Sequence, residues 1–223
     1  MCRFTATILS LLISGILPSA ATAASVSGVV LRAPAPQPAR AQINRYRGRD
    51  AAAGDREAAD AGCQCNPGEY AVVHLTGDAL PPVRVQPVPP TMAQKDRMFE
   101  PSVLAVPVGG AVSFPNRDPV FHNVFSYSKT RSFDLGRYPQ GETHDVVFDE
   151  AGIVPVFCEI HYSMRAYIHV FDTPYFAVSD LSRRFEIADV DPGRYTLHVW
   201  QENLPEITVP VTVGEDPVRL EVR

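Results

Sequence analysis

The sequence predicts an all-β protein built as two sandwiches, and three observations carry that reading. Apolar residues recur in short runs rich in Val, Ile, Phe and Tyr, with almost no helical periodicity. Those runs are separated by Pro, Gly, Asn and Asp, with 21 prolines against 14 glycines. The last forty or so residues change to a cleaner apolar and polar alternation, as in RRFEIADVDPGRYTLHVW, which suggests a second sheet system. With 45% apolar residues among 223, the chain has material for one large or two small cores.

The order of elements follows from the N-terminus. Arg3, an apolar stretch over residues 8–17 and the small-residue run Ser-Ala-Ala-Thr-Ala-Ala form a signal peptide over residues 1–24, with cleavage expected after Ala23 or Ala24. No later stretch approaches the roughly 18 apolar residues of a membrane span, so the expectation is an exported, periplasmic protein with no membrane insertion after cleavage. Cleavage removes one charge, Arg3, taking the net charge from −5 to −6. That mild acidity argues against nucleic acid, whose binders present a clustered basic face.

Residues 25–31 (SVSGVVL) read as the first strand, and residues 33–68, rich in Ala, Pro, Arg and Asp, as a flexible solvated insertion. Strands are then expected at 70–75 (YAVVHL), 83–88, 103–106, 111–114, 123–126, 144–148, 154–158 and 166–171, each bounded by turn residues. In the tail, strands 184–187 and 195–200 flank Asp191-Pro192-Gly193, where Pro then Gly suits a type II turn. Strands 207–213 and 218–222 close the chain. This divides the protein into N-terminal strands with their insertion (25–80), a first sandwich (81–172) and a second, smaller one (173–223). Four strands make a thin sandwich, so strands from 25–76 are candidates to complete the second, leaving 81–172 inserted between its parts.

The chemistry concentrates in FCEIHYSM, which spaces Cys158, His161 and Met164 three residues apart. Alone, the spacing is weak, since a buried Cys is commonly a small hydrophobe and Met a filler of core gaps. Context strengthens it. After cleavage Cys63, Cys65 and Cys158 remain, an odd number for an exported chain, and metal ligation is one reason for an unpaired thiol. Thiolate, imidazole and thioether form the soft set that selects copper, and a His2Cys site with a weak axial Met is the blue-copper arrangement. The second histidine that this arrangement needs stands in FPNRDPVFHNVFS as His122, 36 residues before Cys158. Phe121, Phe157 and Tyr162 are candidates for apolar cover over the sulfur. None of the six histidines falls at the HxH spacing of a trinuclear copper centre, and no Ser/His/Asp set, phosphate loop or paired-carboxylate signature occurs, so the expectation is not an enzyme. His74, His169 and His198 lie in strand patterns as face or core residues. The Cys63-Gln64-Cys65 pair reads first as a local disulfide or surface thiols.

On VPVGGAVSFPN, His122-Asn123-Val124, FDEAGIVPVFC and CEIHYSM, the chain over roughly residues 92–171 resembles the cupredoxins, the plastocyanin and amicyanin family, with a ligand-loop spacing similar to that of amicyanin. The resemblance implies a Greek-key β-sandwich holding one type 1 copper ion on His122, Cys158, His161 and Met164, with Asn123 tying the two ligand loops together. It also implies redox-protein partners and electron exit at the His161 edge. More broadly, the mature chain resembles bacterial exported methylamine utilization proteins, which join a cupredoxin to a carboxypeptidase-regulatory-like, transthyretin-like β-sandwich, carried here by YFAVSDLSRRFEIADVDPGRYTLHVW. Two positions depart from these patterns: Ser182-Arg183 stands where the second motif favours a glycine turn, and Tyr162 follows His161 where many cupredoxins have proline. The function expected is a periplasmic blue-copper carrier of single electrons. The alternatives are a periplasmic copper-binding or delivery protein, or an interaction module whose copper site is vestigial.

Overall fold

The protein is seen here as a computed structural model that describes residues 23–31, 67–78 and 80–223. Residues 1–22 of the expected 1–24 leader, most of the insertion, and Cys63 and Cys65 lie outside the described residues.

The described chain is all-β apart from one 3-10 turn at Pro67–Glu69. In order the strands are β1 (Ala24–Val30), β2 (Val72–Thr76), β3 (Ala93–Lys95), β4 (Met98–Glu100), β5 (Val103–Pro107), β6 (Gly110–Pro115), β7 (His122–Tyr127) and β8 (Ser132–Tyr138). They continue with β9 (Thr143–Phe148), β10 (Gly152–Phe157), β11 (Arg165–Phe171), β12 (Phe176–Val178), β13 (Arg184–Val190), β14 (Gly193–Trp200), β15 (Ile207–Val213) and β16 (Val218–Val222).

These strands form four stacked layers. The first is β13-β1-β16, with β1 antiparallel to β13 and parallel to β16. The second is β12-β2-β14-β15, antiparallel throughout. The third is β5-β11-β10-β7-β8, in which only the β5–β11 pairing is parallel. The fourth is β6-β9, with the β3–β4 hairpin beside it through bridges from Thr91 to Ser113 and Gln94 to Asn116.

The period-two alternation of each strand explains the stacking, because successive side chains point to opposite faces. In β2, Val73 and Leu75 join Val26, Ile187, Leu197 and Val211 in a core between the first and second layers. In β11, Ala166, Ile168 and Val170 join Val112, Phe114, Val124, Val154 and Val156 in a core between the third and fourth. The opposite faces of these same strands meet: Val72, Val103 and Phe171 form a third cluster with Tyr70, Ala105, Phe176, Val178 and Trp200. The second and third layers are therefore packed on both sides.

Several expectations need correction. Residues 83–88 form no strand; prolines at 81, 82, 87, 89 and 90 withhold the N–H groups a ladder requires, and the segment lies largely exposed. Four strands went unread: β3, β4, β8 and β12. The first two and the last are three residues long, and β8 carries Asp134 and Gly136, which interrupt a strand signature. Gly193 keeps a negative or extended φ, so Pro192-Gly193 is not a type II turn; the left-handed residue nearby is Asp189, at φ 54°. The absent Cβ of Gly193 instead leaves room for the Tyr195 ring, 3.1 Å from where it would stand.

Candidate metal centre

The centre lies at one end of the third layer. His122 opens β7, Cys158 follows the last residue of β10, and the loop 158–164 runs into β11. Because β10 pairs with both β7 and β11, the chain segments bearing His122, Cys158 and His161 are neighbours in one sheet despite their separation in sequence.

Cys158 Sγ lies 3.8 Å from His122 Nδ1 and 3.8 Å from His161 Nδ1, and the two Nδ1 atoms are 3.0 Å apart. Among the described residues these three form the group able to hold a metal ion, with His122 and Cys158 buried and His161 half-buried. The spacing fits a small cation: bond lengths of about 2.3 Å to sulfur and 2.0 Å to nitrogen, as zinc shows, put trigonal S and N donors about 3.8 Å apart.

The protonation pattern supports the same conclusion. His122 Nε2 donates to Asp118 Oδ2 at 2.8 Å, which turns Nδ1 toward a sulfur and a second imidazole. Burial pushes the Cys158 thiol up, but bonds from His122 and from the backbone at Asn123 and His161 overcome it and bring its pKa down to about 6. A thiolate and two ring nitrogens converging on one point call for a cation.

The supporting groups come from neighbouring turns. Burial raises the Asp118 carboxyl, yet the amides of Arg97 and Asp96 and the bond from His122 pull harder, so its pKa falls below the usual value. The amide distances are 2.8 Å from Arg97 and 2.6 Å from Asp96, the two left-handed residues at the tip of the β3–β4 hairpin. Asn116 Oδ1 accepts from the Asp118 amide at 2.9 Å and holds the turn before β7. His122 is itself raised: burial lowers it, but its bonds to Cys158 and Asp118 outweigh that.

Of the other residues expected at the site, Asn123 is buried; its Oδ1 accepts from the Glu159 amide at 2.6 Å, and its Nδ2 donates to Asp134 Oδ1 at 3.2 Å. Met164 is buried in the same core cluster as Cys158, and its amide bonds to the His161 carbonyl at 3.0 Å, closing the loop. The expected aromatic cover is corrected. Phe121, Phe157 and Tyr162 are 56%, 39% and 88% exposed, because Phe157 sits on the outward face of β10 and Tyr162 at the loop tip. Cys158 itself joins the inner core cluster that includes Phe114 and Tyr138.

Two supporting residues were missed in the sequence. Asp118 lies in the irregular turn before β7, where only its place four residues before His122 could have pointed to it. Tyr138 is buried beside the site, donates to the Phe114 carbonyl at 3.0 Å and accepts from Gln94 Nε2. Burial first, with the nearby Cys158 charge adding to it, pushes this phenol well above the ordinary tyrosine value. Nothing in its sequence neighbourhood marks it.

Comparison with protein families and with curated proteins gives no match. Among solved structures, the chain is similar to a Cu-containing nitrite reductase (NirK) from Thermus scotoductus SA-01 over 41% of its length, at 27% identity and a TM-score of 0.37. It spans a quarter of that enzyme (25%). A reduced amicyanin variant is covered over 99% of its own chain and 44% of this one, at 22% identity and a TM-score of 0.36. A purple cupredoxin from Nitrosopumilus maritimus is covered over 84% against 34% of this chain, at 26% identity and a TM-score of 0.31.

Proposed function

We propose that the chain is a periplasmic electron carrier with a single type 1 copper ion held by His122, Cys158 and His161, and with Met164 as the weak fourth donor. The observation that carries this reading is the convergence of Cys158 Sγ with two imidazole Nδ1 atoms, 3.8 Å from each, inside a strand-held site. Copper bound to such a set supplies reversible one-electron chemistry.

The residues of the chain do the rest. Asp118, clamped by two backbone amides, fixes the His122 ring and its tautomer. Asn123 joins the β7 end to the loop after Cys158, so the donors keep their spacing when charge changes. His161 is the donor nearest solvent, and the exposed Tyr162 next to it in the chain and Phe121 next to His122 offer apolar ground on which a redox protein can dock. Residues 81–172 carry the site, while 173–223 with strands from 25–76 form the companion sandwich.

The test is a visible spectrum of the mature protein after Cu(II) addition and removal of excess metal. An intense blue band that reductant bleaches and oxidant restores is expected, and Cys158→Ser should abolish it with the β circular-dichroism signal intact. Stoichiometric copper without colour, passed readily to an acceptor as Cu(I), would replace electron transfer with copper delivery.

A further inference from the structure

The face between the second and third layers is built unlike the two other cores. It gathers three histidines: His74 on β2, His198 opposite it on β14 and His169 on β11. The His74 ring stacks on His198 at 4.6 Å and tilts against Phe171 at 4.6 Å, while His169 meets the Trp200 ring edge-on at 4.4 Å. His169 is 2% exposed and its Nε2 has no hydrogen-bond partner. A buried imidazole with an unpartnered nitrogen between packed sheets is costly as a neutral group and far costlier as a cation.

We propose that this seam is an acid-sensitive latch: the companion sandwich stays docked on the back of β11 while His74 and His169 are neutral, and is released when they take protons. The charged groups around it do not compensate. On β14, His198 Nδ1 is 3.4 Å from Glu206, and its Nε2 is 3.0 Å from Thr76 Oγ1. Asp172, just past β11, is exposed and gives His74 the smallest of its electrostatic influences. Glu202 is engaged by the Tyr167 hydroxyl at 2.9 Å and by Arg165 at 3.4 Å. Glu69, on the turn beside β11, is exposed. The facing residues of β5 and β12, namely Val103, Ala105, Phe176 and Val178, carry no charge, nor does Ile153, the exposed partner of His169 on β10.

The direction of the linkage follows. Burial, then the His198 field, lower His74 to about 4 against a smaller opposing pull from Asp172; burial, then His74, lower His169 to about 3. In a released state both return toward the ordinary value of about 6.5. Release therefore takes up protons, so docking is fully favoured above pH 6.5 and weakens as pH falls toward the docked values. Two such groups shift the docked-to-released ratio by up to about five-hundredfold between pH 7 and pH 5.

Trp200 is the only tryptophan in the chain and touches His169, so its emission reports the seam directly. Titrating the full chain from about pH 8 to about pH 4.5, we expect a red shift of emission steeper than one proton allows, with the far-ultraviolet β signal retained. The transition should vanish in His74→Gln/His169→Gln and persist in Cys158→Ser, which separates it from the metal reading. Unchanged emission in the wild type, or the same midpoint in the double variant, would overturn the latch. If that variant does not fold, small-angle scattering of the wild type decides: a larger radius of gyration at pH 5 than at pH 7.5 is expected, and equal radii reject release.

Discussion

At the scale of single residues, the centre depends on side chains that never touch a metal. Asp118 receives two backbone amides and the His122 Nε2–H, so Asp118→Asn keeps the shape and loses the charge that holds this imidazole. Removing such support weakens metal binding by about 10- to 100-fold, an expectation checked by competition with a chromophoric chelator. Asn123→Ala breaks the 2.6 Å bond from the Glu159 amide and leaves that donor without its partner. A cost of about 1–3 kcal/mol in urea unfolding of the metal-free protein is expected, and a change near zero would remove Asn123 from its role as a tie. The closeness of Cys158 and His161 was legible because a thiol and an imidazole stand three positions apart in one short loop. Asp118 and Tyr138 were not, because each acts through a contact whose partner is distant or lies in an irregular turn.

At the scale of elements, the alternation that builds the sheets was readable and the short or irregular pieces were not. The β3–β4 hairpin, six residues around a left-handed Asp96-Arg97 tip, is too short to show an alternation, yet its tip carries the amides that hold Asp118. The turn before β13 shows the opposite case. Arg183, one of the two departures noted in the sequence, has φ 58°, where a glycine is at ease and an L side chain is strained. Arg183→Gly should therefore leave stability unchanged or raise it by up to about 1 kcal/mol in thermal unfolding. β1 makes the reverse demand: a Cβ at Gly28 would lie 2.5 Å from the Leu220 carbonyl and 2.9 Å from the Phe185 ring. Gly28→Ala must push β1 from β16, with an expected loss of about 1–3 kcal/mol.

At the scale of the whole molecule, four layers with three interfaces should unfold together at neutral pH, since the middle two are each packed on both faces. Phe171 joins them, stacking on Phe176 at 5.2 Å and against His74. Phe171→Ala should cost about 3–5 kcal/mol and, in scanning calorimetry, turn one transition into two as the halves lose their coupling. The sequence by itself determined the all-β class, the positions of most strands and the candidate donors, because strand alternation and donor chemistry are local properties. Only the tertiary structure decided which strands are neighbours, that β1 lies between β13 and β16, that Asp118 supports His122, and that three histidines from β2, β11 and β14 meet in one seam. Those contacts join residues far apart in the chain, and a linear pattern has no term for the pairing and stacking that bring them together.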